Sequence, residues 1–161
     1  WTPALIADTD IDCVLLGDSL AMVVYGHDTT LPADVATMAA HTAAVRRGMP
    51  KKFIIGDLPF LSFRKGLEPG MEAVGTLMNA GANAVKLEGG AALAETVARL
   101  TSFGAPVCAH LGLLPQSVHQ LGGYRGHGPV RVGAAGGRLG DRQPIGTRIR
   151  VPPSRQAVRA L

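Results

Sequence analysis

Three acidic residues stand where short apolar runs stop: Asp18 after Leu15-Leu16-Gly17, Asp57 after Ile54-Ile55-Gly56, and Glu88 after Val85-Lys86-Leu87. Runs of Val, Leu and Ile this short read as strands buried on both faces. Parallel α/β folds bind ligands outside the carboxyl ends of their strands, so the acids stand where a site would form. Three carboxylates brought together repel one another, and a hard divalent cation with oxygen ligands relieves that repulsion. Magnesium fits best, because few carboxylates hold it and it keeps waters that a substrate can displace. A single acid of this kind would cap a helix or pair with an arginine. Repetition at three strand ends favours a site.

Lys86 and Glu88 are two apart on one strand, so their side chains share a face. Lys86 could form a Schiff base or hold a substrate carboxylate as a cation. Beside acids and a metal its charged form is favoured, and with it the second role. A structural ion pair with Glu88 is the plainer alternative. His110, at the end of a fourth apolar run, could orient or protonate a substrate oxygen, although a lone histidine is more often structural. Ser19 has no His-Asp partner in view and reads as a substrate hydrogen-bonding group. His27 and His41 are weaker candidates, with His41 packed in mid-helix.

The elements that must position these residues alternate. A helix end over residues 3–10 feeds a strand over Cys13–Gly17. A helix opens at Leu31-Pro32, carries Val35, Met38, Thr42 and Val45 on one face, and stops at Gly48 after Arg46-Arg47. Strand Lys52–Gly56 follows. Next comes a helix over Pro69–Ala80 with Met71, Val74, Leu77 and Met78 as its core stripe. Then come strand Ala84–Glu88, a helix over Ala92–Phe103 with Leu93, Val97 and Leu100 inward, and strand Pro106–Ala109. Such alternation predicts a parallel sheet with right-handed crossovers. A barrel and an open doubly wound sheet both fit, but no Gly-x-Gly-x-x-Gly follows a strand, which favours the barrel.

At 161 residues the chain suits one domain with a real core. No apolar stretch is long enough to span a membrane and no leader peptide is evident. Cys13 and Cys108 lie in apolar runs and read as buried thiols of a reducing cytosol. The chain opens at Trp1 without a Met, which reads as a piece of a longer protein. Its net charge of +4 is unevenly spread. Residues 1–128 carry 9 Lys and Arg against 11 Asp and Glu, whereas residues 129–161 carry 7 Arg against the single acid Asp141. From residue 126 to 161 the periodicity dissolves into an Arg-, Gly- and Pro-rich tail that reads as disordered.

Several segments together resemble the 3-methyl-2-oxobutanoate (ketopantoate) hydroxymethyltransferase family. They are Gly17-Asp18-Ser19-Leu20, Gly26-His27-Asp28-Thr29-Thr30-Leu31-Pro32, His41-Thr42-Ala43-Ala44-Val45-Arg46-Arg47-Gly48, Asp57-Leu58-Pro59-Phe60, Lys86-Leu87-Glu88-Gly89-Gly90 and His110-Leu111-Gly112-Leu113, the last continuing to Pro115-Gln116-Ser117. The likeness runs over residues 5–125 in order, so that residues 1–125 form the folded part. It implies an α/β fold, a partial (β/α)8 TIM barrel of the phosphoenolpyruvate/pyruvate superfamily covering strands 2–5. It also implies hydroxymethyl transfer from 5,10-methylenetetrahydrofolate to 3-methyl-2-oxobutanoate in pantothenate synthesis, with Mg2+ bound and the enzyme a cytoplasmic homo-oligomer. By matching motifs, Asp18, Asp57 and Glu88 correspond to the magnesium acids, and Asp18, Ser19, Asp57 and Lys86 to residues that contact the oxo acid.

The departures are as informative. The resemblance places the family's proton-abstracting glutamate at the end of a sixth strand, yet no Glu follows Glu95. Of the residues present only His110 remains as a catalytic candidate, and the chain alone is expected to be inactive. The tail reads as an out-of-frame translation of GC-rich DNA beginning near Arg125–Gly128. A natural basic tail binding RNA or DNA is the alternative, disfavoured because no aromatic interleaving or folded module accompanies it. Two other functions compete with the transferase. One is a non-catalytic half barrel that binds magnesium and a 2-oxo acid, and the other is a related superfamily lyase or mutase.

Overall fold

The structure, a computed structural model, describes residues 2–89, 91–110 and 115–117. The expected tail over 126–161 and the proposed frame change near Arg125 lie outside the described residues. Helix α1 (Thr2–Ala7) leads into strand β1 (Cys13–Leu16), short helix α2 (Leu20–Val23) and helix α3 (Val35–Gly48). Strand β2 (Phe53–Asp57), helix α4 (Leu67–Asn79) and strand β3 (Ala84–Glu88) follow. A 3-10 turn (Ala91–Leu93), helix α5 (Ala94–Ser102), strand β4 (Val107–His110) and a second 3-10 turn (Pro115–Ser117) complete the described chain. Among the described residues no helix is long and apolar enough to cross a membrane.

The four strands are all parallel and lie in the order β1-β2-β3-β4. A doubly wound sheet reverses its order at a switch point; this one adds each strand to the same edge, as a barrel does. The register then sorts the side chains. Leu16, Val85, Leu87, Val107 and Ala109 face the helices and pack with Met38, Val74, Leu77 and Leu100 in the main core. Residues out of phase with them point to the opposite face. There Ile55, Ala84 and Cys108 form a second apolar cluster with Phe53 against it. Asp57, Lys86, Glu88 and His110 share that face one step nearer the strand ends.

Several expectations need correction. β1 is not buried on both faces: Leu15 is 51 % exposed and Cys13 is exposed, because β1 pairs only with β2 and its second face has no covering layer among the described residues. Cys108 is buried as expected. Helix α3 starts at Val35 rather than at Leu31-Pro32, because the Asp34 carboxylate accepts from the Thr37 amide at 2.7 Å and caps the helix there. That bond holds the Asp34 carboxyl below its ordinary value. Helix α4 begins at Leu67, with Pro69 inside its first turn, where its missing N–H costs little. Its buried stripe is Gly70, Ala73, Val74 and Leu77, and Met71 is exposed.

Arg46, in the last turn of α3, ties three segments together. Its guanidinium donates to the carbonyls of Met49 (3.2 Å), Pro50 (3.0 Å) and Lys52 (2.9 Å) in the turn before β2. It also donates to the Gly81 carbonyl at 3.0 and 2.7 Å and to the Asn83 side chain, both in the turn before β3. Gly81 sits at φ +110°, and a Cβ there would lie 2.8 Å from the Arg46 side chain, so this position excludes both the strain and the bulk of a side chain. A planar fork with five donors can hold such a set; a lysine ammonium cannot. Both Arg46→Lys and Arg46→Met should therefore lower the stability of the chain, by about 2 kcal/mol. Urea unfolding followed by circular dichroism measures this, and wild-type stability in Arg46→Lys would refute the assignment.

Candidate active site

The polar row is built by strand register. Asp57 at the end of β2 is the cross-strand partner of Lys86, and Glu88 at the end of β3 is the partner of His110. Side chains opposite one another in adjacent strands meet on one face. The Lys86 ammonium lies 2.5 Å from Asp57 Oδ1 and 3.9 Å from Glu88 Oε1. His110 Nδ1 lies 3.6 Å from Glu88 Oε1 and, though buried, has no hydrogen-bond partner among the described residues. An acid–base–acid–imidazole series thus crosses three strand ends.

Asp18 joins from the turn after β1. Its backbone N–H donates to Asp57 Oδ2 at 3.2 Å, and its own carboxylate is 4 % exposed. Gly17 makes this approach feasible: a Cβ there would stand 2.9 Å from Ser19 Oγ and 3.5 Å from Asp57 Oδ2. Ser19 follows at the N-terminus of α2, is exposed, and makes no side-chain capping bond to that helix. His27 is exposed, away from the row, and His41 is engaged by the Tyr25 hydroxyl at 2.8 Å on α3.

The three acids share one end of the sheet but do not form a single three-carboxylate cluster. Among the described residues no group of three His, Cys, Asp or Glu is gathered closely enough to hold a metal ion. Asp18 and Asp57 form one pair, while Glu88 is directed to Lys86, His110 and the Gln116 amide. Their chemistry nonetheless suits a hard cation, since every donor is a carboxylate oxygen and all three are buried. Asp57 gives the electrostatic sign of this. Burial pushes its carboxyl up to about 6, with the Asp18 charge adding to the rise, and the Lys86 ammonium only partly opposes it. The site holds more buried negative charge than Lys86 alone compensates.

Two residues of the site were not assigned by reading the sequence. Gln116 donates from Nε2 to Asp18 Oδ2 at 2.8 Å and to the Leu58 carbonyl at 2.9 Å. Arg64, in the loop after β2, donates to the Glu88 carbonyl at 2.8 Å and lies 5.4 Å over the Phe63 ring. Gln116 was visible as a polar residue inside a matched motif; nothing in the spacing of Arg64 distinguishes it from any loop arginine.

The profile of the family described as ketopantoate hydroxymethyltransferase matches residues 1–135. A protein of Bdellovibrio bacteriovorus named 3-methyl-2-oxobutanoate hydroxymethyltransferase is 58% identical over 124 residues, 77% of this chain and 47% of its own length. Proteins of the same name are 54% identical over 129 residues in Coxiella burnetii, covering 80% of this chain and 48% of theirs, and 53% identical over 135 residues in Escherichia coli O81, covering 84% and 50%. The chain spans about half the length of the curated relatives it matches.

The raised Asp57 pKa makes a prediction for the metal-free chain. The unfolded carboxyl releases its proton near 3.8 and the folded one near 6, so between these values the folded state binds more protons than the unfolded state. Stability contributed by the protonated form is complete below 3.8 and is lost as pH rises through 6, by roughly 3 kcal/mol at most. Urea titrations of wild type and Asp57→Ala from pH 4 to 7 should show this decline in wild type and a flatter profile in the variant. A wild-type carbon NMR titration of Asp57 with a midpoint near 4 would contradict it.

Proposed function

Because this chain belongs to the ketopantoate hydroxymethyltransferase family, we propose that Asp57, Lys86, Glu88 and His110, with Asp18 beside them, form the oxo-acid half of a hydroxymethyltransferase active site. The reaction is transfer of a hydroxymethyl group from 5,10-methylenetetrahydrofolate to 3-methyl-2-oxobutanoate, giving 2-dehydropantoate for pantothenate synthesis. The observation that carries this reading is the pair between buried Asp57 and half-buried Lys86 at 2.5 Å, beside Asp18, at the carboxyl end of a singly wound parallel sheet.

Asp18 and Asp57 would hold Mg2+, with Glu88 completing the acidic surround. A cation bound there supplies Lewis-acid polarisation of the oxo acid's carbonyl and acidifies the adjacent C–H. The chain's own groups do the rest. Lys86 has three donors and gives one to Asp57, so its ammonium can still attract the substrate carboxylate. The exposed Ser19 hydroxyl, one residue from Asp18, can donate to the same substrate. His110, with Nδ1 unpartnered among the described residues and 3.6 Å from Glu88 Oε1, is placed to hydrogen-bond a substrate oxygen. Abstraction of the substrate's C–H proton falls, by the family resemblance, to a glutamate on a later strand, and no Glu follows Glu95. That absence favours a second reading for this chain by itself, a half barrel that binds the oxo acid and Mg2+ without turnover. A cytoplasmic setting and a homo-oligomeric assembly belong to the same proposal, with Cys13 and Cys108 as free thiols.

Calorimetry with 3-methyl-2-oxobutanoate should show Mg2+-dependent binding to the 161-residue chain, and Lys86→Met should weaken it by at least about tenfold, the cost of one lost charge-assisted contact. An assay with the folate donor should show no product. Absence of binding in the folded chain would overturn the site, and product formation would overturn the assignment of the base to a residue outside it.

A further inference from the structure

Gln116 is bonded to three of the four strand ends that build the site. It lies in the 3-10 turn after β4 and is 4 % exposed. Its side-chain Nε2 donates to Asp18 Oδ2 after β1 and to the Leu58 carbonyl after β2, and its backbone N–H donates to Glu88 Oε2 at the end of β3 at 3.1 Å. The amide orientation follows from chemistry. Exchanging its nitrogen and oxygen would set an acceptor against a carboxylate and a carbonyl, so both hydrogens must face Asp18 and Leu58.

A buried amide that only filled space would need partners of any kind. This one spends both hydrogens on an acid and on the turn beside the other acid, while its Oε1 is buried without a partner among the described residues. Bonds to an ionised carboxylate are stronger than neutral ones and fix its orientation. Asp18 has no cationic partner among the described residues' ion pairs, so this amide is the group that holds its carboxylate in place.

We propose that Gln116 is a positioning residue that orients the Asp18 and Glu88 carboxylates for the cation and the oxo acid, an inference that rests on the function proposed above. It acts through the two acids it contacts. Partners of this outer kind typically change metal affinity by roughly 10- to 100-fold when removed.

The test compares the full 161-residue chain with Gln116→Met, which keeps the length and removes the two side-chain donors while leaving the backbone N–H that reaches Glu88. Calorimetry with Mg2+ alone should give an affinity lower by roughly 10- to 100-fold in the folded variant, and carbon NMR without metal should show the Asp18 carboxyl signal shifted. A merely structural glutamine would lower the melting temperature and leave the Mg2+ affinity of the folded variant unchanged; that result overturns the proposal. If wild type itself binds no Mg2+, the functional reading fails, and the metal-free spectra then decide: an unshifted Asp18 carboxyl signal overturns the positioning role, and a shifted one supports it. Should Gln116→Met not fold, proton exchange of the wild-type Gln116 side-chain amide decides instead. Slow exchange supports the role, and exchange as fast as that of a free glutamine overturns it.

Discussion

The ion pair between Asp57 and Lys86 is the contact on which the site depends, and it is a product of strand register. Asp57 and Lys86 are partners across the β2–β3 ladder. A shift of one residue would turn one of them towards the helices, into a layer of Val85, Leu87 and Leu77. The apolar pattern that buries the main core therefore also selects the pairing that places the charges. Glu88 and His110 are aligned by the same logic one strand further on.

Keeping those charges together is costly. Three carboxylates are almost wholly withdrawn from water, and among the described residues only Lys86 forms an ion pair with them as a permanent cation. The structure meets the remaining demand with oriented dipoles. The Asp18 backbone amide turns to Asp57, the Gln116 backbone amide to Glu88 and the Gln116 side chain to Asp18. Preorganised donors of this sort lower the cost of an anion without removing its charge. Burial nonetheless keeps the Asp57 carboxyl raised, to about 6.

Much of this was readable beforehand. Strand positions, the shared face of Lys86 and Glu88, and the grouping of acids at one end all follow from local spacing, and the structure places Asp18, Asp57, Lys86, Glu88 and His110 together. What escaped was set by contacts distant in sequence. Gln116 reaches Asp18 across 98 positions and Leu58 across 58, and no periodicity encodes such a reach. Arg46 was visible only as a favourable charge at a helix end, whereas its weight lies in carbonyls of two other turns. The exposure of Cys13 and Leu15 was missed for a different reason: a strand's composition does not say whether the described residues cover its second face.

The alternation along β3 has a consequence for how such a chain can change. Val85 and Leu87 face the helix layer, while Lys86 and Glu88 between them face the site. Folding and chemistry are thus written on interleaved positions of a single strand, with little atomic overlap between them. Substitution at one set alters packing and leaves the polar row intact; substitution at the other changes the polar row without dismantling the scaffold. A strand organised in this way can be inherited as architecture while its chemistry is revised.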